Sequence, residues 1–310
     1  MVNEFSSCPV LIVGSSGTIG RSLHRFFAQR EVPVWLTTRN VDQANKQFDQ
    51  RTLLLDLSQP ASIWKLDDLS VCVAIICAAV TSQKACQEDY AATYAINVTA
   101  TVELAKRLMD AGVFVVFLST NLVFDGSIPH VPPDQPVNPK TAYGQQKAES
   151  EQMLLTMGCD SVAIVRLTKV VDQGFPLFHH WVDSLGSGQS IHPFEDLYFA
   201  PVSLDFTTQL LFEISQRRIN GIIQVSATKD ISYADAAYYL CQKLQLNINL
   251  IRPVSSRTAG ISHSPRFTTL DTKRLESFGM FPPEPWQFID GIFASIILQN
   301  SNNPDTTDNN

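Results

Sequence analysis

Basic charge is in short supply. The 310-residue chain carries 23 Lys and Arg against 30 Asp and Glu, a net charge of -7. That balance argues against nucleic acid or an anionic membrane as a partner, since neither finds a basic patch to meet. Long apolar runs are missing as well. Val71-Cys-Val-Ala-Ile-Ile-Cys-Ala-Ala-Val80 is far too short to cross a bilayer and fits a buried strand. The start, Met1-Val-Asn-Glu-Phe-Ser-Ser, has neither the charged nor the apolar region of a signal peptide. Six cysteines (8, 72, 77, 86, 159 and 241) form no C-x-x-C pair and no Cys/His cluster with zinc spacing. No metal is expected, and the cysteines read as reduced thiols of a cytoplasmic protein; Cys8, Cys72 and Cys77 sit in or beside apolar runs as small hydrophobes. Internal repeats are not evident.

What is present suits a globular protein. An apolar fraction of 45% and a charged fraction of 17% allow a sizeable core without covalent staples. Strand-like runs at 8–14, 33–38, 52–56, 71–77, 113–118 and 161–167 alternate with helical patterns, which predicts a doubly wound α/β fold around a parallel sheet. Residues 85–111 carry apolar positions at helical spacing, and 177–186, 203–216 and 232–244 are further helices. Gly221–Ser226 reads as another strand. The Pro-rich stretch 127–139 must be a loop. The tail 300–310 has nothing to bury and is expected to be disordered.

Two motifs carry chemistry. Tyr143 and Lys147, in Ala142-Tyr-Gly-Gln-Gln-Lys147, lie one turn apart on one helix face. A phenol starts from a pKa of about 10, and a neighbouring ammonium lowers it toward the range of a working general acid. Near the start, Val10–Val13 leads into Gly14-Ser-Ser16-Gly17-Thr18-Ile19-Gly20 and then a helical pattern. Strand, glycines and helix N-terminus in that order suit a dinucleotide pyrophosphate; a tight turn packed with small residues is the plainer reading. The second strand ends Thr37-Thr38-Arg39, with no acid to hold a ribose 2′-hydroxyl. A basic residue there accommodates the 2′-phosphate of NADP, so NADP(H) is preferred over NAD(H), with Thr38 and Arg39 as its ligands.

With a third segment, Ser119-Thr120-Asn121-Leu-Val-Phe124-Asp-Gly126, these motifs resemble the extended short-chain dehydrogenase/reductases, in the branch similar to dTDP-4-dehydrorhamnose reductases. The resemblance covers the first 170 residues well and the rest loosely. It implies a Rossmann domain over 1–168 to which 200–226 returns, and a smaller substrate lobe from 169–199 and 227–299. It also implies that Asp56 and Leu57 contact the adenine, though Asp56 would serve equally as a helix cap. Ala78 and Ala79 would pass under the cofactor, Ser119 and Leu167 would flank it, and Asn97 would support the catalytic lysine through a water. Thr120, Tyr143 and Lys147 would be catalytic. Hydride reaches a ketone carbon, Tyr143 protonates the alkoxide, Lys147 lowers the phenol pKa and binds ribose, and Thr120 orients the carbonyl.

Departures fall on the substrate side. Asn121 and Leu122 stand where these reductases usually carry Asp and often Tyr, and Arg166-Leu-Thr-Lys169 replaces Arg-Thr-Ser-Trp. Thr81, Asn121 and Lys169 are the substrate candidates, with Lys169 suited to a phosphate. His179, His180 and His192 read as structural. The expected partner is a nucleotide sugar, and a homodimer is compatible with the resemblance. Two alternatives stay open: an epimerase of the same superfamily, and a non-catalytic NADP-binding subunit, since the regulatory subunit of methionine adenosyltransferase is similar to these reductases.

Overall fold

The structure, a computed structural model, describes residues 8–40, 51–67, 69–261, 263–286, 289–291 and 293. The expected disordered tail lies outside these residues. Seven parallel strands form the central sheet: β1 (Val10–Val13), β2 (Val34–Thr38), β3 (Thr52–Leu54), β4 (Val73–Ile76), β5 (Phe114–Thr120), β6 (Val162–Leu167) and, after three short strands, β10 (Gly221–Val225). Their order is β10-β6-β5-β4-β1-β2-β3, which reverses direction between β1 and β4. A crevice beyond the strand C-termini at such a reversal is where open α/β sheets bind ligands.

Alternation along the strands fills both faces. Val10 and Ile12 enter one core cluster with Val116, Leu118 and Val165, while Leu11 and Val13 enter the opposite one with Val115, Phe117 and Ile164. Successive side chains on a strand point to opposite faces, so a sheet covered on both sides needs these near-continuous apolar runs. One face is covered by α1 (Thr18–Ala28) and the other by the long helical stretch before β5. That stretch consists of α2 (Gln83–Glu88), α3 (Tyr90–Tyr94), a π-helical turn at Ala95–Ala100 and α4 (Thr101–Asp110). Asp89 caps α3 by accepting from Ala92 N at 3.1 Å, and so breaks α2 from α3.

The helix α5 (Ala142–Gly158) follows the Pro-rich loop and is capped by Thr141, whose Oγ1 accepts from Gly144 N at 3.0 Å. Beyond β6 come β7 (Val170–Val171), α6 (Pro176–Gly186), β8 (Tyr198–Phe199), β9 (Val202–Ser203) and α7 (Leu204–Arg217). Thr208 of α7 bonds Ser22 of α1 at 2.9 Å, so α7 packs beside α1 on the sheet. After β10, the elements β11 (Ile231–Ser232), α8 (Tyr233–Lys243) and α9 (Lys273–Glu276) complete the described order. A separate core joins α6, α8 and the short strands through Phe178, Trp181, Phe199, Ile231 and Leu240.

The expectation that the cysteines are all reduced needs correction. The β1–β4 register pairs Val10 with Val73, which brings the residues just before those strands side by side. There Cys8 and Cys72 form a disulfide with Cα atoms 5.9 Å apart. Cys77, Cys86, Cys159 and Cys241 are free.

Candidate active site

The glycine turn is shaped by what a side chain would strike. Gly14 has φ 84°, a region that disfavours other residues, and a Cβ there would lie 2.8 Å from Ala78 N. A Cβ at Gly20 would lie 2.3 Å from Gly14 O. The turn is further tied to β2, with Gly14 N donating to Thr37 Oγ1 at 2.9 Å and Ser15 Oγ to Thr37 O at 2.7 Å. Gly17 caps α1 without any side-chain acceptor, which leaves the first-turn amides for an outside anion. Arg21, which the sequence reading missed, donates Nη1 to Ser16 O and lines the cleft beside this turn.

That cleft, of about 2060 Å³, runs from Gly17, Thr18, Ile19 and Gly20 past Ala79, Thr81, Thr120, Asn121 and Tyr143 to Lys169. Ten of the expected residues therefore share one wall. Its far end is formed by Phe175, Tyr198, Phe199 and Tyr233, with Phe199 and Tyr233 stacked at 4.5 Å. Asp125, Lys140 and His263 also line it, and the sequence reading assigned them no role. Asp125 and Lys140 stood inside stretches already singled out. His263 lies in a loop without periodicity, where no local signal could have marked it.

Other expected residues sit elsewhere. Gly14 and Ala78 press on each other behind the turn, and Ser16 holds Arg21. Asp56 Oδ1 accepts from Ser58 N and Oγ at 2.9 and 2.8 Å, which is a turn-capping role, and Leu57 is buried in the core. Thr38 Oγ1 accepts from Asn40 N at 3.1 Å, and Arg39 is exposed at the edge of the described residues. Leu167 is a core residue. His179 bonds Gln173 O at 2.7 Å, while His180 and His192 are exposed; none of the three lines the cleft.

Asn97 sits on the π turn and is fully buried. Its Oδ1 accepts from Val80 N at 2.8 Å, and its Nδ2 donates to Val80 O at 2.9 Å and Gln146 Oε1 at 2.7 Å. Asn97 thus fastens the segment after β4 to α5, one residue before Lys147.

On α5, Tyr143, Lys147 and Glu151 follow at intervals of four, with exposures of 9%, 3% and 2%. The Tyr143 phenol reaches the cleft, as does Thr120, whose Oγ1 accepts from Leu122 N at 3.2 Å. Lys147 is not part of the wall; its Nζ lies 3.9 Å from the centroid of Phe117 on β5. Burial lowers its pKa to about 7, against the opposing pull of Glu151 and Cys77. Cys77 is itself pushed up to about 12 by burial, so it is a neutral thiol and Glu151 is the effective anion. The expectation that Lys147 lowers the phenol pKa is not met here. Burial raises Tyr143 above the ordinary phenol value, with Cys86 adding to the rise. Desolvation by burial is the larger cause, and the phenol is held as an acid.

Beneath this pair lies a polar network that the sequence reading also missed. Arg166 of β6 grips Glu151 in bidentate fashion, Nη2 to Oε2 at 2.8 Å and Nε to both oxygens at 3.1–3.2 Å. Ser119 Oγ donates to Glu151 Oε1. Arg166 Nη1 reaches Pro133 O at 3.0 Å and Gln224 Oε1 at 3.3 Å.

A glycine turn and a Tyr-x-x-x-Lys helix at one crevice of a reversed parallel sheet are the arrangement that the resemblance to the extended short-chain dehydrogenase/reductases implies for this chain. The chain belongs to the RmlD substrate binding domain family, which matches residues 8–290. Methionine adenosyltransferase 2 subunit beta of Xenopus tropicalis is 23% identical over 304 residues, 92% of this chain and 86% of that protein. A dTDP-4-keto-6-deoxy-D-glucose reductase of Streptomyces niveus is 24% identical over 279 residues, 89% of this chain and 93% of that protein. A dTDP-4-dehydrorhamnose reductase of Bacillus anthracis, solved with NADP, superimposes with a TM-score of 0.78 at 19% identity, covering 94% of this chain and 99% of that one.

Proposed function

We propose that the chain is an NADP-dependent reductase of the keto group of a nucleotide-linked sugar. The observation that carries this reading is the single cleft joining the uncapped glycine turn to Thr120, Tyr143 and an aromatic far end. The glycine cradle fits a dinucleotide, because added Cβ atoms would clash at Gly14 and Gly20 and the α1 amides lack a side-chain cap. Gly17, Thr18, Ile19, Gly20 and Arg21 would hold its pyrophosphate, with Thr38 and Arg39 at the 2′-phosphate. When bound, the cofactor supplies the hydride. Tyr143 donates the proton to the developing alkoxide, and the raised phenol pKa keeps that proton in place until it is needed. Thr120 directs its hydroxyl at the carbonyl oxygen, and Lys147 supports Tyr143 from below.

Charge and shape at the far end suit a nucleotide sugar. In an acidic protein the cleft is lined by four cations (Arg21, Lys84, Lys140 and Lys169) and two acids (Asp125 and Asp172). This excess fits two diphosphate groups, one of the cofactor and one of the substrate. Lys169 is held over Phe175, 5.2 Å from its ring centroid, and desolvation lowers its pKa. Phe175, Tyr198 and Tyr233 offer faces for a base.

A second reading, a non-catalytic subunit, is favoured by the similarity to methionine adenosyltransferase 2 subunit beta. One experiment separates them. The purified chain is mixed with NADPH and a dTDP-4-keto-6-deoxy sugar, and the loss of NADPH absorbance is followed. In parallel the chain is passed over size exclusion with a catalytic methionine adenosyltransferase subunit. Turnover without co-elution supports the reductase; co-elution with no turnover replaces it with the subunit reading.

A further inference from the structure

The buried Glu151–Arg166 pair is a costly feature that a purely apolar packing would avoid. Removing two charges from water is offset only by near-ideal geometry and full hydrogen bonding, and such pairs are poor sources of net stability. Here the geometry is that good. Glu151 is 2% exposed and Arg166 3%, and the carboxylate receives Arg166 through Nε and Nη2 as well as Ser119 Oγ. The Arg166 guanidinium is covered by Phe124, 4.9 Å from the ring centroid. The location is specific too. Glu151 lies one turn from Lys147 on the face that also carries Tyr143, and Ser119 directly precedes Thr120.

We propose that Glu151 is a positioning residue of the catalytic site, supplying the anion that faces the Lys147 amine and locking the end of β5 to the helix that carries Tyr143. The inference rests on the reductase reading for its kinetic arm only. The groups around the amine are few. On α5 itself there is Glu151; just after β4 comes the neutral thiol of Cys77; from β5 come the Phe117 ring and, through Glu151, the Ser119 hydroxyl. Arg166 of β6 is the cation behind Glu151. Glu151 is the anion in this set, so its loss leaves Lys147 with the neutral Cys77 thiol and the Phe117 face to hold a proton. The amine then loses its charge at lower pH, and Arg166 is left buried without its partner.

The test uses the full chain with ε-13C-labelled lysine, the Lys147 signal being assigned by its absence in Lys147→Met. The titration midpoint of Lys147 is compared in the wild type, Glu151→Gln and Glu151→Asp, beside the pH profile of kcat for NADPH oxidation with a keto-sugar nucleotide. The expected result is a midpoint lower by about one unit in Glu151→Gln, a tenfold change in the ionised ratio. The alkaline limb of kcat moves with it, and Glu151→Asp recovers part of the shift. An unmoved midpoint, or a kcat lowered evenly at every pH, overturns the proposal and leaves the pair a structural strut. Should Glu151→Gln fail to fold, the double variant Glu151→Gln/Arg166→Met removes the stranded cation and decides by the same midpoint, with a smaller shift in the same direction. A wild type that binds NADPH without turnover defeats the reductase reading, while the lysine titration still decides the role of Glu151.

Discussion

At the scale of single residues, Tyr143 is a titratable side chain that is buried and still lines the cleft. Its proton is expected to be the one transferred. Tyr143→Phe should lower kcat by about 10²-fold or more, the lower end of what a placed general acid contributes, with NADPH binding retained in a fluorescence titration. A near wild-type kcat in that variant removes the phenol from the chemistry. Cofactor preference is decided farther out. Arg39→Asp should raise the KM for NADPH by about tenfold, the loss of one exposed charge-assisted contact of roughly 1.4 kcal/mol, and improve the use of NADH. Equal discrimination before and after the change assigns the 2′-phosphate to other groups.

At the scale of elements, the strands and most helices were legible because their signals are local. Apolar runs of strand length and helical spacing placed β1, β2, β4, β5, β6 and β10 within a few residues, and α6, α7 and α8 likewise. The glycine turn and the Tyr-x-x-x-Lys helix were legible for the same reason, each being a short motif in its own context. What escaped was assembled across distance. Glu151 meets Arg166 from another strand, and Asn97 meets Val80 and Gln146 across two elements. Asp56 accepts from Ser58 within its own turn, one of the two roles that spacing alone leaves open. The π turn gives one measurable consequence. Asn97→Ala strands Val80 N and Gln146 Oε1, and should cost about 1–3 kcal/mol in urea unfolding, the price of leaving buried polar groups unpaired. Gly20→Val, by contrast, should leave the fold measurable but abolish the thermal shift on adding NADP, since the side chain would occupy the turn beside Gly14 O.

At the scale of the whole molecule, the buried amine makes cofactor-free stability depend on pH. Unfolded, Lys147 titrates near 10.5; folded, it is lowered to about 7. Between those values the unfolded chain binds more protons, so stability rises with pH across that window and is fully penalised below about 7. The melting temperature of the cofactor-free protein should climb from neutral pH toward about 9, above which the raised Cys77 thiol opposes the gain, and Lys147→Met should flatten the climb. A slope unchanged in that variant assigns the dependence to other groups. The C-terminal segment has a consequence of a different kind. Phe267 N bonds Gly126 O at 3.0 Å, Leu270 bridges Val131, and Gln224 Nε2 bonds both Val131 O and Asp271 O, at 2.8 and 3.2 Å. Residues 267–271 are thereby sewn onto the loop leading into the Tyr143 helix. A shortened version ending after β10 would keep the glycine turn yet lose the seam that fixes the entrance to α5, so excising a minimal nucleotide-binding half should yield a protein that grips its coenzyme and does nothing with it.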